Sequence, residues 1–155
     1  MWLLDTHLLV RAAYDPARLP KGVAKLIESR DERLVFSLAS MWEVAIKAPL
    51  KRLELKRPDF TAAPDELQRG LIDEGFAELP IAPAHISRIV TLPWLHRDPF
   101  DRMLVAQAAV EGLTLLTANA ALKRCGRFVR AVQLGARGLT SAPCGWRRRG
   151  GSPRR

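Results

Sequence analysis

The chain has 155 residues, of which 48% are apolar, so it is long enough and apolar enough to form one domain with a core of its own. Its two cysteines form no CxxC pair and have no clustered histidines beside them, which argues against a disulfide scaffold and against a zinc site. The formal net charge of +9 is uneven, since residues 1–122 hold 15 basic and 16 acidic residues whereas residues 123–155 hold 10 basic and no acidic ones.

The first predicted element is a short apolar strand, Trp2–Leu4, which ends at Asp5. The stretch "HLLVRAAYD" follows and has its apolar residues at helical spacing. Because Asp5 interrupts the apolar start and no basic segment precedes it, the pattern predicts neither a signal peptide nor a membrane span. We therefore expect a soluble, cytoplasmic protein.

The next elements alternate between helices and strands. "KGVAKLIESRD" is predicted as a helix and "RLVFS" as a strand, closed by Ser37 and Ser40, both good helix N-cap types. A helix is predicted over "SMWEVAIKAPLKRL", with Pro49 bending or ending it. Two further helices, "DELQRGLIDEG" and "PAHISRIVTL", are separated by a short strand within "FAELPIA".

The last predicted elements begin with an apolar helix over Pro99–Glu111, which Gly112 stops. "LTLLT" reads as a buried strand, "ANAALKRCG" as a helix or turn, and "RFVRAVQL" as an edge strand. Strands separated by helices predict an α/β domain with a parallel sheet covered on both faces. We expect this domain over residues 1–134.

The remaining residues, 135–155, read "GARGLTSAPCGWRRRGGSPRR" and have the composition of an unpacked segment. One interpretation is a solvated, flexible extension. The other is a basic arm that binds RNA phosphates through salt-sensitive contacts.

Polar chemistry in a parallel α/β sheet collects beyond the carboxyl ends of the strands. The polar residues found just past the predicted strands are Asp5, Thr6, Ser37, Thr117 and Asn119. Three further acids belong to predicted helices, namely Glu43, Asp98 and Asp101.

Each acid has a local explanation that needs no ligand. Asp5 can cap the helix that follows it, although its leucine neighbours would make an ionised carboxylate costly without a cation. Glu43 can pair with Lys47 on a solvated helix face. Asp98 and Pro99 form a good N-cap and N1 pair, which puts Asp101 at N3, where the helix dipole favours an acid.

The four carboxylates together are harder to explain locally. Brought to one crevice, they would raise one another's pKa unless positive charge lay between them. Mg²⁺, with Mn²⁺ as its usual substitute, suits carboxylates, waters and phosphate oxygens. Such a site can deprotonate a water and stabilise the charge that develops during phosphodiester hydrolysis.

Over residues 1–128 the chain resembles a PIN-domain ribonuclease of the VapC toxin type, from type II toxin–antitoxin pairs. The resemblance is carried by "LLDTHLLV", "SLASMWEVAIK" and "LPWLHRDPFDRMLVAQAAVEGLTLLTANAAL", in this order. It implies a three-layer α/β/α sandwich with a mainly parallel sheet, a metal-dependent endoribonuclease activity on structured RNA, a small antitoxin partner and a homodimer.

The resemblance also implies roles for individual residues. Asp5, Glu43 and Asp101 match the family's acidic metal ligands, and Asp98 matches the extra acid of the "RDPFDR" variant. The residues that match polar positions lining the site are Thr6, Ser37 and Thr117. Asn119 is a departure, because many PIN domains have a fourth acid there and an amide brings no charge. Asp98 is the candidate to supply the missing carboxylate, and the basic tail has no counterpart in the resemblance.

Rival functions have weaker support. The Gly-Asp and Gly-Asn-His motifs of dinuclear phosphoesterases are absent, and His7 stands where a dehalogenase-like phosphatase needs an acid. The non-enzymatic rival is a nucleic-acid-binding module that uses the basic tail beside a vestigial acidic crevice. Three apolar residues, Trp42, Trp94 and Leu95, could contact a partner, although core packing is the expected use of each.

Overall fold

The computed structural model describes residues 1–29, 31–50, 63–93 and 97–132 of the chain. Its strands are β1 (Trp2–Leu4), β2 (Leu34–Ser37), β3 (Ala77–Leu79), β4 (Thr114–Thr117) and β5 (Val129–Ala131). Its α-helices are α1 (Thr6–Tyr14), α2 (Lys21–Glu28), α3 (Leu38–Lys47), α4 (Pro64–Asp73), α5 (Pro83–Thr91) and α6 (Pro99–Glu111). The predicted tail, 135–155, and the residues Trp94 and Leu95 lie outside the described residues.

The strands form one parallel sheet in the order β3-β2-β1-β4-β5. From the central strand β1, the chain adds β2 and then β3 on one side, and it later adds β4 and β5 on the other side of β1. The direction of strand order therefore switches between β1 and β4, and ligands of open α/β sheets bind outside the carboxyl ends of the strands at such a point.

Helices cover both faces of the sheet because side chains alternate along each strand. Leu4, Phe36 and Leu116 belong to a buried cluster with residues of α1, α3 and α4. Leu3 and Leu115 belong to a second cluster, with residues of α6. This arrangement confirms the predicted three-layer α/β/α sandwich. Among the described residues, no helix combines the length and apolar character that crossing a bilayer requires.

The helix α3 begins earlier than predicted, and it ends near the proline that was expected to bend or end it. It begins at Leu38 rather than near Ser40, because the hydroxyl of Ser37 accepts a hydrogen bond from the backbone N–H of Ala39 at 2.9 Å and so caps the helix directly after β2. It ends at Lys47, shortly before Pro49, as expected if this proline ends the helix, since it has no N–H to continue the helical hydrogen bonds. The earlier start places Glu43 in the second turn.

The helix α6 follows its predicted limits. Asp98 is its N-cap, Pro99 is its first residue, and Gly112 ends it with a positive φ of 65°, a conformation that glycine adopts without a Cβ penalty. The N-terminus of α6 thus lies at a defined place beside α3, against which it packs.

Candidate active site

Asp5 is both a helix cap and a buried acid at the switch point. Its Oδ1 accepts a hydrogen bond from the N–H of Leu8 at 2.8 Å, which caps α1. Its Oδ2 accepts from the Thr117 hydroxyl at 2.5 Å and from the N–H of Ala118 at 3.0 Å. Asp5 is 2% exposed, and burial raises its pKa against the opposing effect of these hydrogen bonds. The two interpretations of this residue, cap and site acid, are compatible.

Glu43 is the second buried acid, at 3% exposure. Its Oε2 accepts a hydrogen bond from the Thr6 hydroxyl at 2.6 Å, and its Oε1 forms an ion pair with Lys47. The predicted pairing of Glu43 with Lys47 is therefore present, but it lies in a buried environment and not on a solvated helix face. Both carboxylate oxygens of Glu43 are engaged.

Asp98 and Asp101 lie at the start of α6, the first as its N-cap and the second in its first turn. Asp98 Oδ1 accepts hydrogen bonds from the N–H groups of Phe100 and Asp101 at 2.9 and 3.3 Å, as expected of an N-cap. Its other oxygen, Oδ2, lies 3.5 Å from Nζ of Lys47. Asp98 can therefore start the helix and still contact a cation of the crevice.

Asn119 and Thr117 connect Asp101 to Asp5. The side-chain N–H of Asn119 donates to Asp101 Oδ2 at 3.2 Å, while its Oδ1 accepts from the N–H of Ala121 at 3.1 Å. The backbone N–H of Asn119 donates to the Thr117 hydroxyl at 2.9 Å, and that hydroxyl donates onward to Asp5. The amide oxygen of Asn119 is thus already used in starting the 3₁₀ helix Ala120–Cys125.

These contacts close into a ring, which we call the acid ring. Asp5 is followed in the chain by Thr6, whose hydroxyl donates to Glu43, and Glu43 pairs with Lys47. Lys47 contacts Asp98, whose side chain accepts from the N–H of Asp101. The side chain of Asp101 accepts from Asn119, the N–H of Asn119 donates to Thr117, and Thr117 donates to Asp5. The members of the acid ring are Asp5, Thr6, Glu43, Lys47, Asp98, Asp101, Thr117 and Asn119. All four predicted acids belong to it: they come from the end of β1, from α3 and from the start of α6, while the end of β4 contributes Thr117 and Asn119.

Ser37 is the one predicted site residue outside the acid ring. It is fully buried, and besides capping α3 it donates its hydroxyl proton to Oε1 of Gln107 at 2.6 Å. The amide of Gln107 donates in turn to the carbonyl of Pro80 at 3.3 Å. Ser37 therefore connects the end of β2 to α6.

Sequence reasoning overlooked two polar residues of α6. Gln107 is one, although it stands out as a polar residue within the apolar run "LVAQAAV". Arg102 is the other: its guanidinium is buried and donates to the carbonyls of Ile89 at 2.8 Å and Pro93 at 3.0 Å, at the end of α5. Both hold α6 against neighbouring segments.

An aromatic pair flanks the acid ring. Trp42 and Phe100 meet edge to face with their ring centroids 5.1 Å apart, and Nζ of Lys47 lies 5.6 Å from the Phe100 centroid. Trp42 is 57% exposed, so the expectation of core packing is wrong for this residue. The reason is its position on α3, where Val44 and Met41 face the core and Trp42 does not.

The chemistry of the acid ring fits a hard divalent cation. Asp5 is buried with a raised pKa, and Lys47 is a cation held against two of the acids, so positive charge is favourable here. As the side chains stand, no three His, Cys, Asp or Glu residues within the described ranges are grouped closely enough to hold a metal ion. Binding of one ion by several of these acids would thus require their side chains to move closer together.

Comparison with known proteins agrees with this fold. The family model of the PIN domain matches residues 2–127. A curated relative, ribonuclease VapC22 of Mycobacterium tuberculosis, is 30% identical over 122 residues, which cover 78% of this chain and 88% of the relative.

Similar solved structures include VapBC2 of Rickettsia felis bound to a DNA fragment from its promoter, with a TM-score of 0.61 and 15% identity over 86% of this chain and 98% of that one. DNA-bound VapBC of Salmonella typhimurium has a TM-score of 0.60 and 16% identity over the same shares of the two chains. A toxin–antitoxin complex of Klebsiella pneumoniae has a TM-score of 0.56 and 19% identity, over 84% of this chain and 97% of that one. At these identities the likeness concerns the fold.

Proposed function

This chain belongs to the PIN-domain family, as a member of its VapC type, and from this we propose that it is a divalent-metal-dependent endoribonuclease and the toxin of a toxin–antitoxin pair. The observation that carries the proposal is the acid ring, in which four carboxylates from the end of β1, from α3 and from the start of α6 are linked beside the switch point of a parallel sheet. Helix capping accounts for one oxygen each of Asp5 and Asp98, but not for the burial of Glu43 or for the links among all four acids.

Asp5, Glu43 and Asp101 are the proposed metal ligands, with Asp98 as a fourth acid, and Mg²⁺ is the proposed ion with Mn²⁺ as its substitute. When bound, such an ion supplies a water of lowered pKa and stabilises negative charge on a phosphodiester undergoing hydrolysis. The four acids are also the proposed catalytic residues.

The polar neighbours have a positioning role in this proposal. The hydroxyl of Thr117 keeps Asp5 Oδ2 in one orientation, and the hydroxyl of Thr6 does the same for Glu43 Oε2. Asn119 orients Asp101. Hydrogen bonds of this kind fix the direction of a carboxylate oxygen, as the outer hydrogen bonds around protein-bound metal ions do. Ser37 has an indirect role, because its hydrogen bond to Gln107 fixes α6 against the end of β2.

The proposed substrate is RNA, bound by the domain of residues 1–134. The arginines of the basic tail, residues 135–155, are proposed to add salt-sensitive contacts to RNA phosphates. Deleting the tail should weaken RNA binding most at low salt and leave the chemistry at the acid ring intact.

The proposed partners are a small antitoxin and a second copy of this chain. The similar structures from Rickettsia felis and Salmonella typhimurium are VapBC assemblies, and an unrestrained ribonuclease would harm the cell that makes it. Purification of the chain together with any small protein encoded beside it tests the antitoxin, and light scattering of the chain alone tests the homodimer.

RNA cleavage tests the nuclease function. A labelled structured RNA should be cut with Mg²⁺ or Mn²⁺, left intact with EDTA, and left intact by a folded Asp5→Asn variant. Asp65→Asn is the matched control, because Asp65 is an exposed acid of α4 outside the acid ring. If the wild-type chain cuts no RNA with any divalent metal, the nuclease function is wrong.

A second candidate, a nucleic-acid-binding module without catalysis, is favoured by Asn119, which stands where many PIN domains have an acid. The same experiment separates the two functions. RNA binding by the wild-type chain with no cleavage under any divalent metal would favour the module.

A further inference from the structure

Lys47 is the one cation of the acid ring, and its ammonium has three neighbours. It forms an ion pair with Glu43 one turn earlier on α3, and it lies 3.5 Å from Asp98 Oδ2 at the start of α6. It also lies over the face of Phe100. The side chain is 23% exposed, so one side of it faces solvent. Lys47 therefore connects the two helices that carry three of the four acids.

This contact neutralises charge that the site could not otherwise hold. Glu43 is almost completely buried, and a buried carboxylate without a nearby cation is costly. Lys47 Nζ pairs with Glu43 and lies 3.5 Å from Asp98 Oδ2, so its positive charge offsets the charge of both acids.

The same contact uses an oxygen that a metal ion would need. Glu43 Oε1 is bound to Lys47, so a divalent ion that binds Glu43 competes with the ammonium and tends to displace it, whereas the neutral Thr6 hydroxyl can keep its hydrogen bond to Oε2. Lysine is suited to such displacement, because its compact ammonium sits on a flexible four-carbon stem and makes no bidentate pairing that holds it in place. The solvent-exposed side of Lys47 leaves room for the ammonium to swing outward.

We propose that Lys47 is the internal counter-ion of the acid ring, which stabilises Glu43 and Asp98 in the metal-free protein and competes with the divalent ion for Glu43. The proposal rests on the proposed function in that it takes the acid ring as the metal site. Metal binding is then an exchange of one cation for another, and the affinity for metal is lower than the four acids alone would give.

The test measures metal affinity and metal-free stability rather than activity. Lys47→Met removes the charge but keeps the length and the apolar stem, and Lys47→Arg keeps the charge. Arg69→Met is the matched control, because it removes an exposed ion pair of the same i,i+4 spacing on α4. Mn²⁺ binding by electron paramagnetic resonance and melting in EDTA are measured for all four proteins.

Lys47→Met should melt lower than wild type in EDTA and bind Mn²⁺ about three- to tenfold more tightly, which is the range expected for losing one partly buried competing ion pair. Lys47→Arg should melt close to wild type and bind Mn²⁺ no more tightly, and Arg69→Met should match wild type in its Mn²⁺ affinity. An unchanged or weakened Mn²⁺ affinity in Lys47→Met, with its circular dichroism native, would overturn the proposal.

The same Mn²⁺ measurements distinguish failure of the proposed function from failure of the counter-ion role. If wild type and Lys47→Met both bind no Mn²⁺, the acid ring is not a metal site and both proposals are wrong. If both bind Mn²⁺ equally, the counter-ion role is wrong while the nuclease proposal stands.

Discussion

Asn119 donates a hydrogen bond to Asp101 Oδ2 at 3.2 Å. The amide that stands where many PIN domains have a fourth acid is therefore bonded directly to one of the acids of this site. With an acid at position 119, two carboxylates would face each other at this distance. The amide removes that repulsion and orients Asp101 instead.

Replacing this amide by an acid should lower the stability of the metal-free protein and raise its affinity for metal. In Asn119→Asp the carboxylate can still accept from the N–H of Ala121, but it repels Asp101 where the amide donated a hydrogen bond. We expect a loss of about 1 kcal/mol in EDTA, which is a fall in Tm of about 2–4 °C, and a larger rise in Tm with Mg²⁺. Thermal melts with and without Mg²⁺ measure both effects, and an equal response to Mg²⁺ in the two proteins would contradict the expectation.

Divalent metal should stabilise the folded chain. A ligand that binds only the folded state at a hundred times its Kd adds about 2.7 kcal/mol, which corresponds to a rise in Tm of roughly 5–11 °C for a protein of this size. Asp101→Asn should reduce this rise, whereas the exposed Asp65→Asn should not. Differential scanning fluorimetry in EDTA and in millimolar Mg²⁺ measures it, and identical wild-type curves would count against the site.

The Thr117 hydroxyl should be needed for both stability and metal response. It is fully buried, donates to Asp5 and accepts from the backbone N–H of Asn119. Thr117→Val leaves both partners without it and should cost about 1–3 kcal/mol. Thr117→Ser keeps the hydroxyl and is the control; it should recover most of the metal-linked rise in Tm, and a serine variant as impaired as the valine variant would indicate that packing is the cause.

Ser37 and Gln107 should be energetically coupled. Ser37→Ala leaves Gln107 Oε1 without the donor that lies 2.6 Å away and also removes the cap of α3, so we expect a loss of about 1–3 kcal/mol. In the double variant Ser37→Ala with Gln107→Leu, the loss should be smaller than the sum of the two single losses. Urea denaturation of the four proteins gives the coupling energy, and strict additivity would show that the contact is unimportant.

Tyr14 offers a direct check on burial, because it is the only tyrosine of the chain. Burial, and then the charge of Glu66, raise its pKa above the usual value of 10.0. The folded state therefore holds the phenol proton more tightly than the unfolded state, and this contribution to stability is present below pH 10 and lost as the pH rises through the folded pKa. Absorbance titration of the phenolate should give a midpoint above 10.0, lower in Glu66→Gln than in wild type; a wild-type midpoint at or below 10.0 would contradict the burial.

Much of the architecture could be predicted because it depends on neighbours along the chain. The period of apolar residues, the cap at Asp98 and the stop at Gly112 all involve residues within one or two helical turns, and α6 has the predicted limits as a result. The prediction for α3 was less accurate because both Ser37 and Ser40 are good caps, and only Ser37 lies at the end of a paired strand.

The α/β class, the order of the elements, the family motifs and the four candidate acids could all be recognised from the sequence. Which groups those acids contact depends on the tertiary structure. Thr117 and Asp5 are 112 residues apart, and Ser37 and Gln107 are 70 apart. Likewise, the contact of Lys47 with Asp98 exists only because α3 packs against the start of α6. Pairings at such separations follow from strand order and helix packing, which local periodicity and capping do not encode.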